Sequence, residues 1–333
     1  GDDVIYGDAG ADVIDGGAGS DTIYGGSGAD VLLGGDDTSY DYLHGEDGDD
    51  QLTAGSAGGT LLGGNGNDRL TAGEVGSAVY GDAGDDILIG GSGNDYLDGG
   101  AGNDEISGGG GNDAIFDRTD GSASGNVAVF LSGGDGGDNF GSIYTPIYIQ
   151  NIYENAVKVT LAGDAGDDVF NITAQNYRLT GPGTIDLIVT GGTGNDTINF
   201  FGNHNDVHVN IDAGDGNDTI ISANRLSTTT ITAGAGVDTL AITSPTSGAA
   251  TTTVTDFTTG TGGDRIDLAT VLSVISTTGW DGSANPFGAG FLQLVQDGSD
   301  TLLQWDIDGA TGASDWNTLY RLQNTNAQSF TVE

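Results

Sequence analysis

Two consecutive nine-residue units decide the fold: Gly90-Gly91-Ser92-Gly93-Asn94-Asp95-Tyr96-Leu97-Asp98 and Gly99-Gly100-Ala101-Gly102-Asn103-Asp104-Glu105-Ile106-Ser107. Their shared pattern is G-G-x-G-x-D-x-U-x, with U aliphatic, and it recurs thirteen times between Gly1 and Phe116. The U position is occupied in turn by Ile5, Ile14, Ile23, Leu32, Leu43, Leu52, Leu61, Leu70, Val79, Leu88, Leu97, Ile106 and Ile115. Three residues around U form a short strand, and the glycine-rich remainder turns a corner at positive φ. This periodicity predicts a parallel β-roll.

The same unit predicts a metal ligand at its sixth position, which is usually aspartate. Two units close one coil of eighteen residues, and each short strand pairs with the equivalent strand one coil away. Aspartates one coil apart, such as Asp86 and Asp104, therefore lie about 5 Å from each other. Their repulsion is relieved by a hard cation that accepts carboxylate and carbonyl oxygens, and calcium suits such an irregular cage better than magnesium.

The sixth-position residues sort into two ladders, because alternate units lie at opposite corners of the roll. The first ladder is unbroken and comprises Asp12, Asp30, Asp50, Asp68, Asp86 and Asp104. The second ladder reads Asp3, Asp21, Asp41, Gly59, Ser77, Asp95 and Asp113. We expect calcium along the whole first ladder and none in the middle of the second. The unit between Gly34 and His44 is two residues longer, which predicts a surface loop at residues 36–40.

Beyond Phe116 the turn pattern returns at longer intervals of 30, 28, 22 and 20 residues. The last residues of these turns are Asp138, Asp168, Asp196, Asp218 and Asp238. An apolar residue stands two positions before each turn and another two positions after it, and the intervening stretches alternate as strands do. Residues 117–243 are therefore predicted to form a wider β-solenoid with a single calcium corner in each coil.

The C-terminal part has a different composition and contains all three tryptophans. Residues 244–255 are polar and predict a linker or irregular coil, and residues 256–333 predict a small β-rich cap. Within the cap we expect a helix at 269–275, a hairpin at 292–305 and a strand at 319–323. Asp264 and Asp267 are additional candidate calcium ligands.

The nonapeptide resembles the repeat of the RTX family of secreted bacterial proteins. In addition, Val254-Thr255-Asp256-Phe257 and Gly263-Asp264-Arg265-Ile266-Asp267-Leu268 resemble the segment that ends many RTX proteins and is recognised by type I secretion machinery. The resemblance implies an all-β, right-handed parallel β-roll or β-solenoid with several Ca²⁺ ions in its turns. It also implies that the protein is secreted, and acts extracellularly or at the cell surface of a Gram-negative bacterium.

Composition agrees with a cation as the principal partner. Forty-nine acidic residues against seven basic ones give a net charge of −42. This charge argues against nucleic acid or an anionic membrane as a partner, and we expect no direct membrane insertion. The absence of cysteine excludes a disulfide scaffold and suits a chain that is exported unfolded.

The sequence contains no catalytic constellation: there is no cysteine nucleophile, no G-x-S-x-G elbow and no P-loop lysine. We therefore expect a non-enzymatic, calcium-dependent structural component of a cell-surface protein, similar to RTX surface-layer subunits, with self-assembly or a cell-surface partner. Two alternatives stay open. The chain is the C-terminal region of an RTX adhesin, or it is the calcium-folding and export module of a secreted hydrolase or epimerase whose catalytic domain lies upstream.

Several weaker signals are interpreted conservatively. His204 and His208 lie in a strand-like stretch without an accompanying glutamate, so a transition-metal site is not expected. A loop beginning at Asp306 resembles the start of an EF-hand, yet Asn317 stands where the final glutamate belongs. Outward tyrosines beside the U positions are expected to stack from coil to coil.

Overall fold

The computed structural model of the chain describes residues 1–35, 38–119, 127–141, 147–151, 156–176, 184–202, 207–224, 228–243, 251–277, 280, 282, 284–307, 309 and 316–330. Within these residues the chain is almost entirely β-strand, arranged in two sheets of fifteen strands each. Neighbouring strands are parallel except in the C-terminal cap. No helix in the described ranges is both long and apolar enough to cross a membrane.

Strands alternate between the two sheets along the chain. The first sheet consists of β1 (Val4–Tyr6), β3 (Thr22–Ser27), β5 (Asp41–Asp47), β7 (Gly59–Asn65), β9 (Ala78–Ala83), β11 (Tyr96–Asp98), β13 (Ala114–Phe116), β16 (Asn139–Phe140), β19 (Val169–Asn176), β21 (Thr197–Gly202), β23 (Thr219–Asn224), β25 (Thr239–Ile242) and β27 (Arg265–Asp267), with β14 (Arg118–Thr119) and β17 (Ile147–Asn151) beside this path. The second sheet consists of β2 (Val13–Asp15), β4 (Val31–Leu33), β6 (Gln51–Thr53), β8 (Arg69–Thr71), β10 (Ile87–Gly91), β12 (Glu105–Gly110), β15 (Val127–Asp135), β18 (Val157–Ala165), β20 (Ile185–Thr193), β22 (Val207–Asp215), β24 (Thr228–Thr232), β26 (Thr252–Val254), β30 (Asn317–Leu322), β29 (Asp300–Trp305) and β28 (Leu292–Asp297). The chain is thus an all-β parallel β-roll that continues as a β-solenoid, as predicted.

The U residues form the core of the narrow roll, one column on each sheet. Ile23 pairs with Ile5 in the adjacent coil, and Leu88 pairs with Leu70 and Ile106. From Ile23 to Ile115 every U side chain is fully buried. The register steps by twenty residues instead of eighteen between Ile23 and Leu43, which confirms the two-residue insertion. Residues 36–37 of the predicted loop lie outside the described residues.

The coils widen after β13. Leu131 pairs with Ile106 across 25 residues, and the following steps along this column are 30, 28, 22 and 20 residues. The strands of the second sheet lengthen to nine residues in β15, β18, β20 and β22, so that each adds further inward positions such as Val159. The larger interior is filled partly by Phe140 and Phe170, whose rings stack at 4.5 Å.

The C-terminal elements differ in one respect from the sequence-based expectation. The segment 244–255, predicted as a linker or irregular coil, contains β26, which pairs in parallel with β24, so the second sheet continues through it. Residues 244–250 lie outside the described residues. The expected helix is α1 (Ala269–Ser276), and the expected hairpin is β28 and β29. Strand β30 pairs antiparallel with β29 and parallel with β26, which joins the cap to the end of the solenoid.

Outward aromatic side chains stack between coils. The rings of Tyr6 and Tyr24 are 5.1 Å apart and nearly parallel, and those of Tyr80 and Tyr96 are 5.4 Å apart and tilted. Tyr96 also stacks on Phe116 at 5.0 Å. The expectation that these rings contact one another across the coils is confirmed for the three tyrosine-containing pairs.

Candidate metal sites in the turns

The sixth-position aspartates lie immediately before strands, at the two corners where the chain passes between the sheets. The first ladder lies at the corner that leads into the second sheet, and the second ladder lies at the corner that leads into the first sheet. From Asp21 to Asp238 the ladder aspartates are at most 3 % exposed. Asp3, in the first coil, is an exception with a side chain that is 61 % exposed.

One carboxylate oxygen of each ladder aspartate holds the adjacent coil. Oδ1 of Asp86 accepts the backbone N–H of Asp68 at 2.7 Å, and Oδ1 of Asp104 accepts the N–H of Asp86 at 2.9 Å. The same contact occurs at Asp21, Asp30, Asp41, Asp50, Asp68, Asp95 and Asp113. These bonds orient every carboxylate in the same direction along the ladder.

The other oxygen, Oδ2, is buried and accepts no hydrogen bond from any described residue. The aspartates in this state include Asp12, Asp21, Asp30, Asp50, Asp68, Asp86, Asp95, Asp113, Asp138, Asp168, Asp196, Asp218 and Asp238. A buried, ionised oxygen without a partner is destabilising. The regular recurrence of this atom along both corners indicates a ligand that the protein atoms alone do not supply.

Glycine makes room beside each Oδ2. A Cβ atom added to Gly45, the first glycine of its turn, would lie 2.3 Å from Oδ2 of Asp50 and 2.6 Å from the carbonyl oxygen of Gly63 in the next coil. At Gly81 the corresponding distances are 2.4 Å to Asp86 Oδ2 and 2.5 Å to the Gly99 oxygen. Carboxylate and carbonyl oxygens thus converge on one small space, which fits a calcium ion. When bound there, calcium would supply positive charge and join oxygens from two coils.

Electrostatics support the same interpretation. Burial is the main cause that raises the pKa of the ladder carboxyls, with repulsion from neighbouring aspartates as a further cause at most of them. The pKa is about 6 for Asp68, Asp95 and Asp238, and about 7 for Asp86, Asp113, Asp168 and Asp218. It is also raised at Asp50, Asp104, Asp138 and Asp196. The metal-free corners therefore retain protons that a bound cation would displace.

The second ladder does not stop at Asp113. Oδ1 of Asp138 accepts the N–H of Asp113 at 2.8 Å, and the chain of bonds continues through Asp168, Asp196, Asp218 and Asp238. The single corner of the wide solenoid is thus the continuation of the second ladder. The sequence-based division at Phe116 did not reveal this, because 25 residues separate Asp113 from Asp138 and no whole number of nonapeptides fits that interval.

The middle of the second ladder is closed without carboxylates. The N–H of Gly59 donates to Oγ of Ser77 at 3.2 Å, and the N–H of Ser77 donates to Oδ1 of Asp95 at 2.6 Å. Oγ of Ser77 in turn donates to the Val75 carbonyl. A neutral hydroxyl here maintains the contact between coils but adds no charge, so the expected gap in metal binding stays a prediction.

Asp264 and Asp267 have different surroundings from the other predicted ligands. Asp264 accepts the Asp238 N–H through Oδ1, at 3.1 Å, but its Oδ2 also accepts the N–H and the hydroxyl of Thr258. Asp267 accepts the N–H of Ala269 at the start of α1. The carboxylates of these two residues are therefore engaged by protein donors at the end of the corner, and their role as ligands stays a prediction.

A second, exposed ladder lies beside the buried one and was missed by the sequence reasoning. Oδ1 of Asp49 accepts the N–H of Asn67, Oδ1 of Asn67 accepts the N–H of Asp85, and Oδ1 of Asp85 accepts the N–H of Asn103, all at 2.8–2.9 Å. These bonds point in the opposite direction along the corner to those of the buried aspartates. The signal was present as Asn or Asp at the fifth position of many units.

The weaker candidates gain no metal cluster in the described ranges. His208 forms a contact of 2.9 Å with Asp186, and His204 lies outside the described residues. Asp306 is buried, whereas residue 308 of the EF-hand-like stretch lies outside the described residues. Among the residues that the structure describes, no group of three or more Asp, Glu, His or Cys side chains converges on one point. The corner sites thus depend on backbone carbonyls as much as on carboxylates.

Comparison with known families agrees with this geometry. The model of the RTX calcium-binding nonapeptide repeat matches residues 1–32, 33–61, 55–74, 80–115, 188–199 and 210–224. The chain carries RTX calcium-binding repeats. The last two matches contain Asp196 and Asp218, so the RTX repeat is recognised in the wide solenoid as well as in the narrow roll. RTX repeats indicate a calcium-binding repeat domain of proteins that are exported by type I secretion. No curated protein matches the chain.

Proposed function

We propose that this RTX chain is a calcium-folded structural component of a secreted bacterial surface protein. The observation that supports it best is the recurrence, at both corners, of a buried Oδ2 atom that accepts no hydrogen bond and faces a glycine carbonyl of the next coil. The ladder aspartates would supply one carboxylate oxygen each, and the glycines of successive turns would supply carbonyl oxygens. Each ion would then join two coils.

Calcium binding in this arrangement is coupled to folding. The chain carries a net charge of −42, and the carboxylates of successive coils are stacked, so without cations the coils repel one another. In a calcium-poor cytosol the chain would remain largely unfolded and could be exported. Outside the cell the repeats would fold as calcium joins neighbouring coils, and the process would spread between nearest neighbours.

Calcium-coupled folding is tested by circular dichroism with and without a chelator. We expect the strand signal and the tryptophan fluorescence to change together on adding calcium, because the cap that contains Trp305 pairs with the solenoid through β26 and β30. An equal amount of magnesium should have a much smaller effect, since it keeps its waters and requires octahedral geometry. A strand signal that is independent of calcium would contradict the proposal.

Within this role we favour a surface-layer-like subunit of a Gram-negative bacterium. The wide, irregular coils offer a long lateral surface, and the sequence is rich in Thr, Ala and Gly and has only one lysine, Lys158. A subunit of this type should form ordered sheets or oligomers at millimolar calcium, which electron microscopy and light scattering would detect. A chain that stays monomeric at high concentration would favour the adhesin or export-module alternatives instead.

A further inference from the structure

The first ladder ends at Asp104, where an aspartate takes the place of a glycine. Phe116 in β13 pairs with Asp98 in β11, and the N–H of Gly99 donates to the Phe116 carbonyl at 3.1 Å. Asp117 therefore follows Phe116 at the position that stacks on Gly99. In the earlier turns of this ladder the corresponding position is the first glycine of the next coil, as Gly99 is for Gly81.

The surroundings of Gly99 differ from those of the earlier first glycines. A Cβ atom added to Gly81 would lie 2.5 Å from the carbonyl oxygen of Gly99, which helps to close the Asp86 site. For Gly99 the three nearest atoms all belong to Asp104, with Oδ2 at 2.6 Å. The carbonyl that closes the preceding site is thus not among the nearest atoms here, and a different group must complete the last site.

Asp117 is positioned to be that group. Its side chain is only 2 % exposed, and its carboxyl group is hydrogen-bonded to the carboxyl group of Asp104. Oδ1 of Asp104 is occupied by the N–H of Asp86, and Oδ2 accepts no N–H. Asp85 and Asp98 add negative charge nearby. Two buried carboxyl groups in contact require either a shared proton or a cation between them.

We propose that Asp117 and Asp104 together bind a calcium ion that closes the first ladder, beyond the sites between successive ladder aspartates. The inference rests on the proposed calcium-binding function. Oδ2 of Asp104 and the carboxylate of Asp117 would be its anionic ligands, and the backbone carbonyls of the last turn would complete an oxygen-only set. The site lies where the narrow roll meets the wide solenoid, so it would hold these two parts together.

The test counts calcium ions bound to the full chain by equilibrium dialysis with atomic emission, using calcium as the probe. Asp117→Ala should bind one ion fewer than the unmodified chain. Asp212→Ala removes an exposed carboxylate of the wide solenoid and should bind the full number, and Asp117→Glu should restore it. If Asp117→Ala binds as many ions as the unmodified chain with the same midpoint, the pair shares a proton and the proposal is overturned.

The outcome can be separated from a failure of the general function. An unmodified chain that binds no calcium contradicts the proposed function itself, whereas several bound ions with no loss in Asp117→Ala contradict only the extra site. If Asp117→Ala does not fold while Asp117→Glu folds and binds the full number, a carboxylate is required and the proposal is supported. If neither folds, hydrogen exchange of the unmodified chain decides. Residues 97–117 should gain protection at the same calcium concentration as residues 81–86, and exchange in 97–117 that is unchanged by calcium would overturn it.

Discussion

Asp86→Asn is the sharpest test of the ladder, because the charge is removed while the size of the side chain is nearly unchanged. Asp86 is 1 % exposed, its Oδ1 accepts the Asp68 N–H, and its Oδ2 faces the carbonyl oxygen of Gly99. A neutral amide can still accept the N–H bond. The substitution therefore removes mainly the charge that attracts calcium.

The size of the effect follows from the strength of charged and neutral contacts. A hydrogen bond or ligand contact with an ionised group contributes about 1.5–3 kcal/mol, and a neutral one about 0.5–1.5 kcal/mol. The difference of about 1.4 kcal/mol corresponds to roughly a tenfold change in binding. We expect the calcium concentration at the folding midpoint to rise about tenfold. In the metal-free state the same substitution should not destabilise the chain, because burial already raises the pKa of Asp86 to about 7.

The matched control lies in the same turn. Asp82→Asn makes the same chemical change at an exposed position with φ of 71°, which asparagine tolerates. Its calcium midpoint should shift by no more than about twofold, since rim charges outside the cage are screened. Circular dichroism against free calcium measures both variants. Equal shifts from Asp82→Asn and Asp86→Asn would refute the assignment of Asp86 as a ligand and, with it, the register of the ladder.

Three further predictions concern pH, the gap in the second ladder and the close approach of the coils. Because the folded-state pKa of seven ladder aspartates is raised from 3.8 to about 6 or 7, proton binding stabilises the metal-free fold below about pH 4, and this stabilisation is lost as pH rises through 7. Circular dichroism in chelator should thus show more strand at pH 4 than at pH 8, and the reverse order would contradict the burial of these carboxyls. Ser77→Asp should add one calcium ion next to Asp95, counted by dialysis, and an unchanged count would show that the gap has another cause. Gly84→Ala should lower the melting temperature in calcium far more than Gly17→Ala, since both glycines have positive φ but only at Gly84 would a Cβ lie 1.7 Å from the oxygen of Gly66; similar losses would mean that backbone conformation alone matters.

Much of the narrow roll was predictable because its structure is local and periodic. Each U residue lies one coil from an identical environment, so the burial of Leu52 or Leu97 follows from the repeat. The two-residue insertion before Leu43 was also predictable, because the pattern resumes in phase after it. The candidate ligands followed from the same periodicity, since it places aspartates of alternate units on one corner.

The remaining features depend on contacts between segments that are far apart in the sequence. Strand β26 lies in a Thr-rich stretch without a clear pattern, and it becomes a strand because β24 and β30 pair with it on either side. Likewise, Asp264 matches the pattern of a ligand in sequence, but Thr258 already donates to its free oxygen. Neither neighbour could be identified from local sequence.

The sequence by itself determined the repeat, the inward aliphatic columns and the positions of the acidic residues, because a nine-residue period sets which side chains face the core and which face the corner. Only the tertiary structure decided how the two parts of the chain join. The bond from the Asp113 N–H to Asp138 shows that the second ladder runs into the wide solenoid, while the first ends at Asp104 against Asp117. The physical reason is that the path of the widened coil depends on how its strands pair with those of the previous coil, and no local preference of the intervening residues specifies that pairing.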